Sequence, residues 1–237
     1  MAAKHALAGK QYRHELKYII SEGEHKLLST RVKACLRQDS HAAANGGAYF
    51  IRSLYFDDPF DSAVWEKASG VGSRDKFRIR IYNLSDSAIK LERKHKEGQY
   101  IKKDSVSISR QDCDEIVRGN LECLRHNANP FAMQFYGVFK ANHLRPKVMV
   151  DYMREPYIFP EEDMRITFDR DVRTAFRCTD LFNPHVITYP VWDLRNSLIL
   201  EVKFNESLPQ YVQELLTLGA AQRTAASKYI FCRQFEF

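Results

Sequence analysis

The sequence predicts an α+β protein built on an antiparallel sheet, and three observations carry that expectation. Strand-like segments recur along most of the chain and are joined by short turns. Helical segments are interspersed without the regular βαβ alternation that marks a parallel sheet. In several strands, charged and apolar residues alternate with the period of two that sends successive side chains to opposite faces. At 237 residues and 44% hydrophobic, the chain can build a substantial core. No Pro/Gly/Ser-rich linker divides it, so one domain over residues 11–237 is expected, after a flexible N-terminus over residues 1–10.

The elements follow in order. Arg13 to Ile20 reads as a strand, and Ser21-Glu22-Gly23-Glu24 has the form of a capping box that opens a helix. Leu27, Leu28, Val32, Cys35 and Leu36 fall on one face of that helix, and the small polar run from His41 to Gly47 makes a loop. "AYFIRSLYFDD" is a strand rich in aromatic and β-branched residues. A short helix over Ser62 to Lys67 leads through Gly70 and Gly72 to the strand "DKFRIRIY". "SAIKLERKHK" and "QYIKKDSVSI" form a hairpin through Glu97-Gly98, where glycine supplies the backbone freedom of a tight turn. Helices then begin near Ser109 and at Asn129-Pro130, since Pro suits a first helical turn. "PKVMVDYMREPY", "MRITFDRDVR" and "NSLILEVKF" read as strands, "LPQYVQELLTLG" as a helix with a Gly stop, and "SKYIFCRQF" as a closing strand.

A net charge of +6 and a pI of about 9.0 point to an anionic partner, which nucleic acid, phosphorylated metabolites or an acidic membrane would each satisfy. Five scattered cysteines without close pairs read as reduced thiols in a cytoplasmic protein. The N-terminal stretch has no apolar h-region, and no apolar run is long enough to cross a bilayer. Gly70-Val71-Gly72 lacks the context of a dinucleotide fingerprint, no GxxxxGK[ST] loop is present, and the eight histidines include no HExxH pair. Tyr49, Phe50, Tyr55 and Phe56 suggest base stacking, but core packing is the reading taken.

The distribution of charge carries the argument further. Lys76, Arg78 and Arg80 share one strand face; so do Arg13, Glu15 and Lys17, then Lys90, Glu92, Lys94 and Lys96, then Tyr152 and Arg154, then Arg165, Thr167 and Asp169, and finally Glu201 and Lys203. Faces turned to open water would mix both signs, yet here Arg and Lys dominate with a few carboxylates among them. The alternative is a sheet curled so that its charged face lines an interior. Like charges packed there each cost several kcal/mol unless water, counter-charges or an anionic ligand compensate them. Such a lumen suits a polyanion held by charge-assisted and often bidentate hydrogen bonds.

"RHELKY", "IRSLYFDD", "KFRIRIY", "LERK", "DYMREPY", "RITFD", "LEVKF" and "SKY" occur in an order that resembles the VTC domains, polyphosphate polymerase domains of the triphosphate tunnel metalloenzyme (CYTH-like) superfamily. The resemblance runs from about Arg13 to the C-terminus. It implies an antiparallel β-barrel tunnel with flanking helices, in which ATP and polyphosphate bind with Mn²⁺ or Mg²⁺. It assigns phosphate binding to Lys17, Arg52, Arg78, Arg80, Lys94, Tyr152, Arg154, Lys203, Ser227 and Lys228. Arg78, Arg80, Lys94, Arg154 and Lys228 would also be catalytic. Glu201 would bind metal, with Glu15 and Glu92 as further candidates. Two departures stand out: Arg13 occupies the first acidic position of the ExExK strand that hydrolytic relatives resemble one another in, and Thr224-Ala225-Ala226 stands where some members have a lysine, leaving Arg223 as a substitute.

Phosphoryl transfer needs positioning and charge neutralisation more than covalent help. Hydrolysis needs a water activated by a base, whereas a terminal phosphate acceptor is already anionic. A tunnel poor in carboxylates therefore leans toward an ATP-dependent polyphosphate polymerase. The alternatives are a metal-dependent tri- or polyphosphatase and a non-enzymatic module that binds polyphosphate or nucleic acid. No specific nucleic acid is expected, and a membrane partner for the product stays open.

Overall fold

Eight antiparallel strands close on themselves in the computed structural model, which describes residues 12–159, 164–217 and 224–234. The strands are β1 (Arg13–Ser21), β2 (Arg37–Gln38), β3 (Tyr49–Asp57), β4 (Ser73–Tyr82), β5 (Ser85–Glu97), β6 (Tyr100–Ile108), β7 (Arg145–Phe159), β8 (Met164–Phe176), β9 (Tyr189–Pro190) and β10 (Ser197–Phe204). Around the barrel the order is β7-β3-β4-β5-β6-β1-β10-β8, and β8 pairs back onto β7. The two-residue strands β2 and β9 add to β7 and β8. Closure removes the sheet edges that would otherwise pair with other chains. It also converts the period of two into an inside and an outside.

The apolar sides of the strands face outward, where helices cover them. Phe77, Ile79 and Ile81 of β4 and Leu91 of β5 pack with Cys113 and Ile116 of α4 (Arg110–Arg118) and with Phe135 and Phe139 of α6 (Ala132–Ala141). On the other side Leu198, Leu200 and Val202 of β10 and Phe168 of β8 pack with Leu28 and Val32 of α1 (Glu22–Cys35) and Val212 of α7 (Gln210–Leu215). Short helices α2 (Ser40–Ala43), α3 (Ser62–Ala68) and α5 (Glu122–Arg125) lie in the connections, and α8 (Lys228–Arg233) ends the described chain. No described helix is long and apolar enough to cross a membrane.

Local signals account for most element boundaries. Ser21 accepts from the Glu24 amide while Glu24 accepts from that of Ser21, and Ser109 with Asp112 repeats the box at α4. Gly119 closes α4 at φ 91°, a left-handed conformation that favours glycine. Gly98 turns the β5–β6 hairpin at φ 56°. The expected flexible segment 1–10, the Gly219 stop and Arg223 lie outside the described residues.

Four expectations need correction. The closing segment is a helix: Lys228, Tyr229, Cys232 and Arg233 are its buried residues, a spacing that a helix satisfies and a strand does not, so tertiary packing overrides the strand-like composition. Helix α1 buries Leu28, Ser29 and Val32, continued by Leu36 at its cap, while Leu27 and Cys35 are exposed. Helix α6 starts two residues beyond Pro130, after Asn129 has accepted a bond from the Phe131 amide. Arg52 does not reach the interior, because the side of β3 that carries Leu54 and Phe56 faces out. Its guanidinium makes two bonds of 2.9 and 2.8 Å to Asp151 and two more to the carbonyls of Leu181 and Asn183.

That buried pair generates a stability expectation. Asp151→Ala strands the Arg52 guanidinium without its carboxylate and is expected to lower unfolding free energy by about 3–5 kcal/mol. Arg52→Met combined with Asp151→Leu should recover most of the loss. Urea titration of the wild type and both variants checks this, and equal losses would remove the pair from the support of the barrel.

Candidate functional site

The barrel encloses an open cavity of about 1020 Å³. Among the described residues that line it are fourteen Lys and Arg side chains against two carboxylates, Glu15 and Glu201. The parity of the strands puts them there. On β4, for example, Lys76, Arg78 and Arg80 point in because Phe77, Ile79 and Ile81 are taken by the outer core. Lys17, Arg78, Arg80, Lys94, Tyr152, Arg154, Glu201, Lys203, Ser227 and Lys228 all line this one cavity. Of the expected phosphate binders, Arg52 alone does not.

Buried carboxylates organise the cations into three groups. Glu92, 1% exposed, pairs across β4–β5 with Arg78 and accepts from its Nε at 2.8 Å; its other oxygen accepts from Lys103 at 2.8 Å. Both oxygens of Glu92, a further candidate metal ligand, are so engaged, and it is not among the described residues that line the cavity. Arg78 also donates to the Tyr55 hydroxyl at 2.8 Å, and Arg80 donates to Ser53 at 3.2 Å and to the Tyr152 hydroxyl at 2.8 Å.

Asp169 forms the second group. It is fully buried and accepts two bonds from Arg154, at 2.7 and 2.6 Å, and one from Lys228 at 2.5 Å. Tyr152 sits over both cations, 5.3 Å from Arg154 and 4.6 Å from Lys228. Burial works to raise the Tyr152 pKa, but Arg154, Arg80 and Lys228 outweigh it and hold the phenol below its ordinary value.

The third group joins neighbouring strands β1 and β10. Lys94 donates to both oxygens of Glu15, at 2.7 and 2.8 Å; Lys17 lies 3.1 Å from Glu15 and 3.8 Å from Glu201; and Lys203 pairs with Glu201. Burial favours protonation of Glu15, yet the surrounding lysines bring its pKa down to about 2. Burial dominates at Lys94 and lowers it to about 7 in spite of Glu15.

Lys76 is the site residue that sequence reasoning passed over, although it shares a face with Arg78 and Arg80. Its ammonium donates to Ser227 Oγ at 2.8 Å and sits 5.2 Å over the Tyr229 ring; no carboxylate among the described residues pairs with it. Burial, then the charges of Lys17, Lys94, Arg74 and Lys67, pull its pKa well below the usual lysine value. Asp169 was also passed over as an organiser. The signal for both was the alternation itself, extended one step along each strand.

Glu15 and Glu201 are the described lining groups that could hold a divalent cation, and no cluster of three or more His, Cys, Asp or Glu side chains converges among the described residues. Mg²⁺ commonly takes one or two carboxylates and completes its shell with phosphate oxygens and water. Glu201 raises the pKa of Glu15 by like-charge repulsion, which a dication at this pair would relieve. The pair therefore fits a metal that binds together with a phosphate chain.

Comparison with known proteins agrees with this architecture. A family model for the VTC domain matches residues 12–237. No curated protein sequence matches significantly. Among solved structures, a candidate adenylate cyclase from Bacillus halodurans is similar with a TM-score of 0.55 at 13% identity, covering 92% of this chain and 95% of that one. A candidate adenylyl cyclase from Hippeastrum, described as having a dominant triphosphatase activity, gives 0.54 at 15% identity over 96% of each chain. A candidate adenylate cyclase from Vibrio parahaemolyticus gives 0.50 at 11% identity, over 94% and 98%. At these identities the likeness is one of fold.

The lowered lysines set a pH signature for anion binding. With a pKa of about 7, Lys94 is mostly neutral at pH 8 in the free protein. A bound triphosphate favours its charged form and raises that pKa, so binding takes up protons at pH 8 and much less at pH 6. Calorimetry of tripolyphosphate binding in buffers of different ionisation enthalpy measures the uptake. It should shrink in Lys94→Arg, and an unchanged uptake would place the titrating group elsewhere.

Proposed function

The chain belongs to the VTC-domain family, and from that membership and the charge of its tunnel we propose that it is an ATP-dependent polyphosphate polymerase. An oxygen of the terminal phosphate of a polyphosphate chain forms a bond to the γ-phosphorus of ATP as the bond to the β-phosphate oxygen breaks, and ADP leaves. Arg78, Arg80 and Arg154 present planar forks to phosphate oxygens, while Lys17, Lys94, Lys203 and Lys228 act as point charges. Tyr152 and Ser227 contribute hydroxyls. Glu201 and Glu15 would hold Mn²⁺ or Mg²⁺, which would supply further neutralisation of the phosphate charge.

The observation that carries this reading is the state of the carboxylates. Glu15 is lowered to about 2, and Glu92, Asp169 and Glu201 are all held below the ordinary carboxylate value, by neighbouring cations that overcome the opposing effect of burial. A general base works best with a pKa near the operating pH. These groups are fixed anions and poor proton acceptors, which disfavours water as the nucleophile and suits an acceptor that is already anionic. The triphosphatase reading has one foothold, because neutral Lys94 could accept a proton from water.

Incubation with labelled ATP and Mn²⁺ separates the readings: long acid-labile polymer is expected, free phosphate would mean hydrolysis, and unchanged ATP would mean a binding module. Within the polymerase reading, Arg80→Ala loses charge-assisted bonds worth about 1.5–3 kcal/mol, a fall of roughly 10- to 100-fold in turnover. Arg80→Lys should recover only part of it, and full activity in Arg80→Ala would take this residue out of the site.

Glu201→Gln keeps the shape and removes the charge. A large fall in turnover that added Mn²⁺ partly relieves is expected, with metal-free tripolyphosphate binding unchanged or tighter. Collapse of metal-free binding with an unaltered Mn²⁺ dependence would mean that Glu201 organises cations and the metal is held elsewhere.

A further inference from the structure

On β4, Arg78 and Arg80 share the carboxylate of Glu92, whereas no carboxylate among the described residues pairs with Lys76. The groups that face Lys76 are Lys17 of β1, Lys94 of β5, Arg74 of its own strand, Lys67 of α3 and, from α8 and its cap, the ring of Tyr229 and the hydroxyl of Ser227. Burial and then those four cations favour the neutral amine. The Tyr229 hydroxyl is engaged elsewhere, on Asp57. What Lys76 touches with its nitrogen is Ser227 Oγ, at 2.8 Å.

Ser227 precedes α8 as its cap residue, yet its hydroxyl accepts from no amide of that helix. It stands in the tunnel wall instead. The chain is tied down on both sides of it: Lys17 donates to the Ala226 carbonyl at 3.0 Å, and Lys228 donates to Asp169 at 2.5 Å. The Ser227 carbonyl accepts from the Phe231 amide at 3.0 Å. Other hydroxyls of the wall meet arginines, Tyr55 with Arg78 and Tyr152 with Arg80, and an arginine stays protonated. At Ser227 the neighbour is a lysine, which can give up its proton. In the neutral form of Lys76 the contact reverses, and the serine hydroxyl donates to the amine. A hydroxyl held against a lysine that lies among other cations is an arrangement that activates a nucleophile.

Resting on the reading that this tunnel binds ATP and transfers its γ-phosphoryl group, we propose that Ser227 is a second acceptor for that group. With Lys76 as base and no phosphate chain in the tunnel, the protein phosphorylates itself at this serine. Ser227 Oγ forms a bond to the γ-phosphorus as the bond from that phosphorus to the β-phosphate oxygen breaks. The hydroxyl proton passes to the lone pair of Lys76 Nζ, and ADP leaves. The product is a phosphoserine facing the new ammonium of Lys76, in a wall that also carries Lys17 and Lys228. A serine hydroxyl needs a base, which the already anionic end of a phosphate chain does not. Lys76 thus has a part in self-transfer that elongation does not call for. A bound triphosphate favours the ammonium form, so self-transfer should speed up as pH rises.

The test is incubation of the full chain with γ-labelled ATP and Mn²⁺, without polyphosphate, followed by denaturation, acid treatment and peptide mapping by mass spectrometry. Acid destroys polyphosphate and spares phosphoserine. Acid-stable label on the peptide that contains Ser227 is expected, and none in Ser227→Ala. Lys76→Arg keeps the charge but cannot serve as base, so labelling should slow roughly 100-fold or more and lose its rise with pH. If Lys76→Arg does not fold, Lys76→Gln serves in its place. No phosphoserine in the wild type, acid-stable label that persists in Ser227→Ala, or labelling as fast in Lys76→Arg as in the wild type overturns the proposal. Acid-labile polymer without phosphoserine rejects self-transfer and keeps the polymerase reading. Phosphoserine without polymer keeps self-transfer and sinks the polymerase reading.

Discussion

The interaction on which the rest of this structure depends is the set of ion pairs made by four buried carboxylates, Glu15, Glu92, Asp169 and Glu201, with the cations around them. Like charges in a cavity of restricted water repel one another strongly, and a barrel lined by them would not close unaided. The carboxylates of Glu92 and Asp169 sit on the wall side of their cations, at 1% and 0% exposure. Each thus fixes a guanidinium from behind and leaves its remaining donors turned to the lumen. The compensation is also incomplete, since fourteen lining cations outnumber the four acids. An anionic ligand would complete the electrostatics of the fold, and its binding would then stabilise the folded state by mass action.

Much of this was legible in the sequence because a closed antiparallel barrel makes parity a three-dimensional statement. Once "DKFRIRIY" is read as a strand with Phe77, Ile79 and Ile81 outward, the positions of Lys76, Arg78 and Arg80 follow, and the same holds for Glu201 and Lys203 in β10. Parity fails where both faces of a strand are apolar. In "AYFIRSLYFDD" nothing marks which side faces the lumen, and Arg52, the one charge in the middle of the stretch, lies on the outer side with Leu54 and Phe56. Its partner Asp151 belongs to a strand distant in sequence, and the pairing is invisible without the β3–β7 register.

The C-terminal segment departs from its strand-like composition for a different reason. Tyr229, Ile230 and Phe231 favour a strand by composition, but the eight-stranded barrel is already closed, and only the two-residue strands β2 and β9 add to it among the described residues. A helix is the form in which Tyr229 can stack on Tyr55 at 5.1 Å, donate to Asp57 at 2.5 Å, and still leave Lys228 reaching Asp169. The topology of the sheet thus decides the secondary structure of a segment outside it, and the same helix brings Ser227 to Lys76.

Three irregularities in the ladder fall beside the paired arginines. The register shifts between Tyr55 and Phe56, between Arg80 and Tyr82, and between Asp151 and Met153. Tyr55 accepts a bond from Arg78, and Tyr152 accepts one from Arg80. A bulge re-aims side chains and increases local twist, and it interrupts the ladder that would otherwise be continuous. In a regular barrel, the inward side chains of adjacent strands would stand level and parallel, and two guanidiniums two residues apart would project side by side into the lumen. With the shifts in place, each arginine has a tyrosine hydroxyl from a neighbouring or facing strand to hold it. The two forks are thereby oriented by neutral acceptors as well as by Glu92, which limits how much negative charge must be buried to position them. The low ratio of acids to cations along the tunnel is in this sense built into the irregularities of its strands.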